Sequence, residues 1–197
     1  MSLILASASI SRARMLRDAG VPFEIRPAHV DEDAVKESLL AEKAKPGEIA
    51  GALAELKALR ISANAPGALV LGADQVLDFE GELISKMPDR ASAKALLQRL
   101  SGKKHELISA AVLARNGAAI WRHTGRVRLR MRAVSETFLD DYLAREGEEL
   151  FRGVGCYRLE GLGAQLFERV DGDYFSVLGL PLLPLLAQLR ELDALPK

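Results

Sequence analysis

Short, dense apolar runs alternate along the chain with longer stretches whose apolar positions recur every three to four residues. Leu3-Ile4-Leu5-Ala6 is such a run, and it ends in Ser7-Ala8-Ser9. After it Ile10, Ala13, Met15 and Leu16 fall at helical spacing as far as Gly20, so a strand, a turn and a helix are predicted in succession. Val21–Arg26 reads as a second strand. Asp31-Glu32-Asp33 opens a weaker helical stretch. Pro46-Gly47-Glu48 opens a stronger one, with Ile49, Leu53, Leu56 and Arg60 on one stripe, and Asn64-Ala65-Pro66-Gly67 stops it. Ala68–Gly72 is continuously apolar over the length of a buried strand, with Asp74 at its end.

The second half predicts two hairpins, Gln75–Phe79 with Glu82–Ser85 about Glu80-Gly81, and Glu106–Arg115 with Ala118–Arg132 about Asn116-Gly117. Helices are expected over Asp89–Leu100, with Ala93, Leu96, Leu97 and Leu100 inward, and over Ser135–Arg145, with Phe138, Tyr142 and Leu143 inward. The tail reads as glycine-punctuated short strands followed by a helix near Pro181–Leu192. Helices interleaved with long antiparallel hairpins imply an α/β fold with a mixed central sheet flanked by helices.

The length of 197 residues suits a single domain spanning 1–197, and no repeat or linker divides it. Lys+Arg and Asp+Glu both number 27, which argues against a nucleic-acid polymer as partner. A lone cysteine, Cys156, excludes a disulfide framework, and with only His29, His105 and His123 a zinc cluster is not expected. The apolar run Val177–Leu189 is broken by Pro181 and Pro184 and falls short of the ~20 residues that span a bilayer. No leader is expected ahead of Leu3, and the chain reads as soluble and cytoplasmic, with no membrane partner.

Four features could carry chemistry. Ser7, Ser9, Ser11 and Arg12 lie at a strand-to-helix turn, where free N–H groups and a guanidinium suit a phosphate; the same residues could simply cap a helix. Asp74, at a strand end, could hold a cation or take a proton from water, or could only shape a turn. Asp31, Glu32 and Asp33 could bind a divalent ion or favour a helix start. Lys57 and Lys86 could point cations into a cleft or extend into solvent. Arg126, Arg128, Arg130 and Arg132 alternate with apolar residues, which reads as a solvated strand face paired with acids rather than a nucleic-acid surface.

The order of these features resembles the Maf family of nucleotide pyrophosphatases. The resemblance rests on Leu3-Ile4-Leu5-Ala6-Ser7-Ala8-Ser9-x-x-Arg12, Val30-Asp31-Glu32, Leu53-Ala54-x-x-Lys57-Ala58, Gly72-Ala73-Asp74-Gln75-Val76, Lys86-x-Pro88 and Ser101-Gly102-x-x-His105. It continues through Gly155-x-Tyr157, Glu160-Gly161-x-Gly163-Ala164, Asp171-Gly172-Asp173-Tyr174 and Val177-x-Gly179-Leu180-Pro181. The family implies a house-cleaning hydrolase that splits a nucleoside triphosphate into the monophosphate and pyrophosphate. It implies an elongated fold similar to inosine triphosphatases, two lobes about a central cleft, a homodimer, and a divalent cation (Mg²⁺, Mn²⁺ or Co²⁺).

Carried over by motif, Asp74 looks like the proton acceptor, with Lys57 and Lys86 as catalytic cations. Ser7, Ser9 and Arg12 look like the phosphate contacts, and Asp31, Glu32 and Asp74 like the metal ligands. Base preference in the family tracks the positions of Ser11, Gln75 and Glu160. Gln75 and Glu160 look like the branch favouring 7-methyl-GTP, since a carboxylate suits the N1–H and N2–H₂ donors of guanine. The alternatives are a dTTP/UTP enzyme, an enzyme for deaminated purine triphosphates such as ITP or XTP, and a nucleotide-binding regulator of cell division and septum formation.

Overall fold

A computed structural model describes residues 2–197. Among them seven strands form one sheet: β1 (Leu3–Leu5), β2 (Phe23–Ile25), β3 (Leu69–Phe79), β4 (Glu82–Ile84), β5 (Lys104–Arg115), β6 (Ala118–Met131) and β7 (Phe167–Asp171). The order is β2-β1-β3-β5-β6-β7, with β4 paired to β3. β1 runs parallel to β2 and β3, whereas β3–β4 and β6–β7 are antiparallel, so the sheet is mixed as the sequence pattern implied. Both hairpin turns form where expected, with positive φ at Glu80 and Gly81 and at Asn116 and Gly117, the backbone that two-residue turns between twisted strands require.

The helices are α1 (Ile10–Asp18), α2 (Glu32–Ala41), α3 (Pro46–Ser62), α4 (Arg90–Leu100), α5 (Glu136–Glu146), α6 (Tyr174–Val177) and α7 (Leu182–Glu191). Side-chain oxygens of Ser9, Asp31, Asp89, Ser135 and Asp173 cap five of them by accepting from first-turn N–H groups. None is long and apolar enough to cross a membrane.

Four expectations are corrected. The strand after residue 68 does not end before Asp74 but continues to Phe79, so Asp74 lies mid-strand. On α3 the buried residues are Ile49, Ala50, Leu53, Ala54, Lys57, Ala58 and Ser62, while Leu56 and Arg60 face solvent. The small alanines let the helix lie closer to the sheet than Leu56 would. On α5 Leu139 rather than Phe138 is buried, and Phe138 is half-buried with the Arg132 guanidinium 4.4 Å above its ring. The tail is built mostly of 3-10 turns, Gly147–Arg152 and Leu162–Leu166, with β7 as its one strand.

The chain gathers into two compact units. One comprises residues 2–75, Ile108–Gly125 and Asp173–Lys197; the other comprises Val76–Leu107 and Arg126–Gly172. In the first, β1 and the Leu69–Ala73 part of β3 are apolar on both faces, as suits buried parallel strands. Leu3, Leu5, Leu69, Leu71 and Ala73 pack with Leu16 of α1 and Leu182, Leu185 and Leu189 of α7. Ile4, Ala6 and Val70 face the other way and pack with Ala28 and Ala65.

Candidate active site

Strand alternation decides which side chains β3 presents to each side. Val70, Gly72 and Asp74 share one face, and Ala73 and Gln75 share the other. Gly72 is where α3 comes closest: a Cβ there would lie 2.0 Å from the Ala54 carbonyl oxygen and 2.6 Å from the Ala58 nitrogen. With the helix seated directly on the strand, Lys57, one turn after Ala54, meets Asp74, two residues after Gly72. Lys57 Nζ stands 2.6 Å from Asp74 Oδ1 and 2.6 Å from Glu32 Oε1 in the first turn of α2. The Lys57 and Asp74 side chains are only 8% and 7% exposed, whereas Glu32 is 38% exposed. The ammonium thus bridges two carboxylates, one buried and one open to water.

Arg12 is buried at the start of α1. Its Nε donates to Gly179 O at 2.8 Å, and its Nη1 donates to Ala73 O at 2.9 Å and Ser7 Oγ at 3.1 Å. Burial pulls the guanidinium below its ordinary pKa, while the charges of Asp74 and Glu32 act in the opposite direction. Ser7 Oγ also accepts from Ser9 N–H at 3.2 Å, and Ser9 Oγ caps α1 by accepting from Arg12 N–H at 3.3 Å. The hydroxyls and the guanidinium therefore fix the strand-to-helix turn as one hydrogen-bonded unit. Ser11 is exposed on that first turn.

On the other face of β3, Gln75 Nε2 lies 3.0 Å from Ser109 Oγ, Ser176 O and Val177 O. Ser109 Oγ in turn donates to Ser176 O at 2.7 Å. The Gln75 amide nitrogen is spent on the protein's own acceptors, and these precede the Gly179 carbonyl that holds Arg12.

Asp31 does not join Lys57: its Oδ1 caps α2, accepting from Ala34 N–H at 3.1 Å. Among the described residues no group of three or more His, Cys, Asp or Glu is gathered as for a closed metal cage. Glu32 and Asp74 remain as a two-carboxylate set. Such a set fits a hard divalent ion that keeps several waters and shares substrate phosphate oxygens.

Lys86 and Glu160 belong to the second unit, and both are exposed. Glu160 stands in a tight turn closed by Gly161 N–H donating to Arg158 O at 3.1 Å. In the same unit the arginines of β6, and Arg132 just after it, are engaged. Arg126 and Arg128 pair with Glu106 at 3.5 and 2.9 Å, Arg130 pairs with Glu168, and Arg132 Nε donates to Gln165 O at 2.6 Å. His105 is buried with Nε2 2.7 Å from the Tyr157 hydroxyl, and burial brings its pKa down to about 4. The buried Cys156 thiol is pushed up to about 11 by burial, which leaves it protonated and unsuited to nucleophilic work.

The profile of the family described as Maf-like protein matches residues 2–192. The chain belongs to the Maf-like family. A relative from Roseobacter denitrificans, named nucleoside triphosphate pyrophosphatase, is 53% identical over 99% of this chain and 98% of its own length. One from Granulibacter bethesdensis with the same name is 53% identical over 99% of both chains, and one from Caulobacter vibrioides is 50% identical over 94% of this chain and 93% of its own. A solved HAM1 protein from Coxiella burnetii aligns with 66% of this chain and 73% of its own at 14% identity and a TM-score of 0.43.

In this Maf-like chain the sequence reading named Arg12, Glu32, Lys57 and Asp74, which the structure gathers in the first unit, and missed the groups that hold them. The Gly179 carbonyl, Ser109 and Ser176 had no signal of their own. Gly179 and Leu180 appeared only as a motif with no role, and a backbone carbonyl is invisible in a residue list. Glu146, buried at the end of α5, was likewise passed over, because a glutamate at a helix end ordinarily faces water.

Proposed function

We propose that the chain hydrolyses the α–β phosphoanhydride of a nucleoside triphosphate to the monophosphate and pyrophosphate. The observation that carries this reading is the buried Lys57 ammonium joined to both Asp74 and Glu32. Membership of a family whose curated relatives are named nucleoside triphosphate pyrophosphatase supports it.

On this reading water attacks the α-phosphorus, the bond from that phosphorus to the bridging oxygen breaks, and pyrophosphate departs. Asp74, fixed through Oδ1 by Lys57, takes the proton of the attacking water on its other oxygen. Lys57 keeps Asp74 and Glu32 together despite their like charges, and Arg12 adds a permanent positive charge where phosphate oxygens gain negative charge. A divalent ion held by Glu32 and Asp74, with Mg²⁺, Mn²⁺ and Co²⁺ as candidates, would supply further neutralisation of the phosphate charge. Lys86 as a cation for the departing pyrophosphate enters from the family pattern, as do Ser11, Gln75 and Glu160 as base-selecting positions. The same pattern adds a cytoplasmic homodimer.

For the base, an exposed carboxylate at Glu160 favours a purine with adjacent N–H donors, as in 7-methyl-GTP. A panel of triphosphates assayed for pyrophosphate release with each of the three metals tests the whole reading. Turnover of 7-methyl-GTP above UTP, dTTP, ITP and XTP is expected, and preference for one of the others would reassign the base. Tight triphosphate binding without turnover would instead mark a regulatory nucleotide sensor. Asp74→Asn should lose about 10²–10⁴-fold in turnover; near-wild-type activity would remove Asp74 from the chemistry.

A further inference from the structure

The turn that carries Glu160 is held by a carboxylate to which the mechanism above gives no role. Glu146 is the last residue of α5, and its side chain is 3% exposed. Its Oε2 accepts from Arg158 Nε at 2.9 Å, and its Oε1 accepts from Leu162 N–H at 3.1 Å. Arg158 and Leu162 stand two residues before and two residues after Glu160, so one buried carboxylate grips both sides of a single exposed acid.

The segment between the two grips has little freedom. Gly161 N–H closes the turn onto Arg158 O. A Cβ at Gly161 would come within 3.3 Å of both Glu146 Oε1 and Arg158 Nη2, and one at Gly163 would lie 2.4 Å from Arg158 O. The approach to the turn is also fixed, since Tyr142 OH donates to Cys156 O at 3.3 Å and Tyr157 OH lies 2.7 Å from His105 Nε2. Burying a carboxylate is costly, and a buried ion pair is a weak source of net stability compared with apolar packing. What the Glu146 carboxylate provides that an apolar side chain would not is two directional bonds, one on each side of Glu160.

We propose that Glu146 is a positioning residue for base selection: through Arg158 and Leu162 it holds the Glu160 carboxylate in one orientation. The proposal rests on the reading of Glu160 as the base-selecting side chain. A carboxylate held in place rewards adjacent N–H donors, whereas one free to rotate loses part of that discrimination to water.

The test is a double-mutant cycle over Glu146→Gln and Glu160→Gln, reading kcat and KM for 7-methyl-GTP and for UTP together with Tm. Glu160→Gln should lower the ratio of kcat/KM for 7-methyl-GTP over UTP. Glu146→Gln, which keeps an oxygen for Leu162 N–H and gives up the charge facing Arg158, should lower the same ratio by about fivefold, mainly through KM, and should have no further effect on it in the Glu160→Gln background. Arg158→Lys, at a half-exposed position, loosens the same grip without removing the buried charge, and it should reproduce the loss if Glu146→Gln folds poorly. If Glu160→Gln shifts the ratio while Glu146→Gln and Arg158→Lys lower only Tm, the positioning role is overturned and the Glu160 reading stands. If Glu160→Gln leaves the ratio unchanged, both fall.

Discussion

Lys57 Nζ and Asp74 Oδ1 lie 2.6 Å apart on facing elements, and both side chains are buried. The contact depends on a helix close enough to a strand for a lysine to act at short range rather than extend into solvent. It also depends on a second carboxylate, Glu32, that reaches the same ammonium from the open side. Removing the lysine would leave two carboxylates facing each other without their shared counter-charge.

Lys57→Met is therefore expected to cost about 3 kcal/mol in denaturant unfolding at pH 7. Asp74→Asn leaves Lys57 paired to Glu32 and should cost less stability while losing more activity. Equal stability for Lys57→Met and the wild type at pH 7 would show that the buried bridge is energetically neutral.

Arg12→Lys keeps the charge but not the fork. Three hydrogen bonds to Gly179 O, Ala73 O and Ser7 Oγ tie α1, β3 and the segment after α6 to one guanidinium. An ammonium cannot meet all three in that plane. A stability loss of about 2 kcal/mol is expected, and on the proposed role of Arg12 at the phosphates turnover should fall alike for every nucleotide. A variant that unfolds at the wild-type denaturant midpoint would contradict this account.

The fold class was legible because strand and helix periodicities differ, and both hairpins were legible because Glu80-Gly81 and Asn116-Gly117 supply the φ that their turns need. The position of Asp74 within its strand was not. Gly72 read as the end of an apolar run, although its missing side chain instead makes room for α3. The same close approach hid the depth of Lys57, because periodicity alone placed the bulky Leu56 inward and could not weigh it against the small Ala54 and Ala58. Charged residues of the site could be named from the chain; the carbonyls and serines that aim them depend on contacts between segments as distant as Gln75 and Ser176.

Gly72→Ala tests the seating of α3 directly. Its added methyl would collide with backbone atoms of Ala54 and Ala58, which cannot swing aside as a flexible side chain could. A loss of about 3 kcal/mol is expected, along with most of the activity, since α3 carries Lys57. A crystal structure of the variant with Lys57 Nζ still in contact with Asp74 would show that the helix tolerates the shift.

Gln75→Glu should destabilise more than Gln75→Leu. Leucine removes a donor from the Val177 carbonyl and the Ser109 hydroxyl, while Ser176 O keeps those of Ser109 Oγ and Gly179 N–H; glutamate also sets a negative charge against the Ser176 and Val177 carbonyls. The expected costs are about 2 kcal/mol for leucine and clearly more for glutamate, measured as unfolding midpoints at pH 7. The reverse order would mean that the Gln75 carbonyl, not its amide nitrogen, faces those groups.

His105 gives the fold an acid-sensitive element whose sign follows from burial. Desolvation lowers its pKa from an ordinary 6.5 to about 4, so the folded protein keeps the imidazole neutral where the unfolded chain already binds a proton. Its contribution is fully present above about pH 6.5, is lost as the pH falls toward 4, and changes no further below that. The depressed pKa corresponds to roughly 3 kcal/mol over that window. Glutamine at this position cannot take up a proton in that range, yet it can offer Tyr157 OH a partner in place of Nε2. The stability of the wild type should fall more steeply than that of His105→Gln between pH 6.5 and 4, and the two curves should run parallel above pH 7. Unfolding free energies at half-unit pH steps read this difference directly, and parallel curves across the whole range would show that His105 exchanges its proton equally in both states.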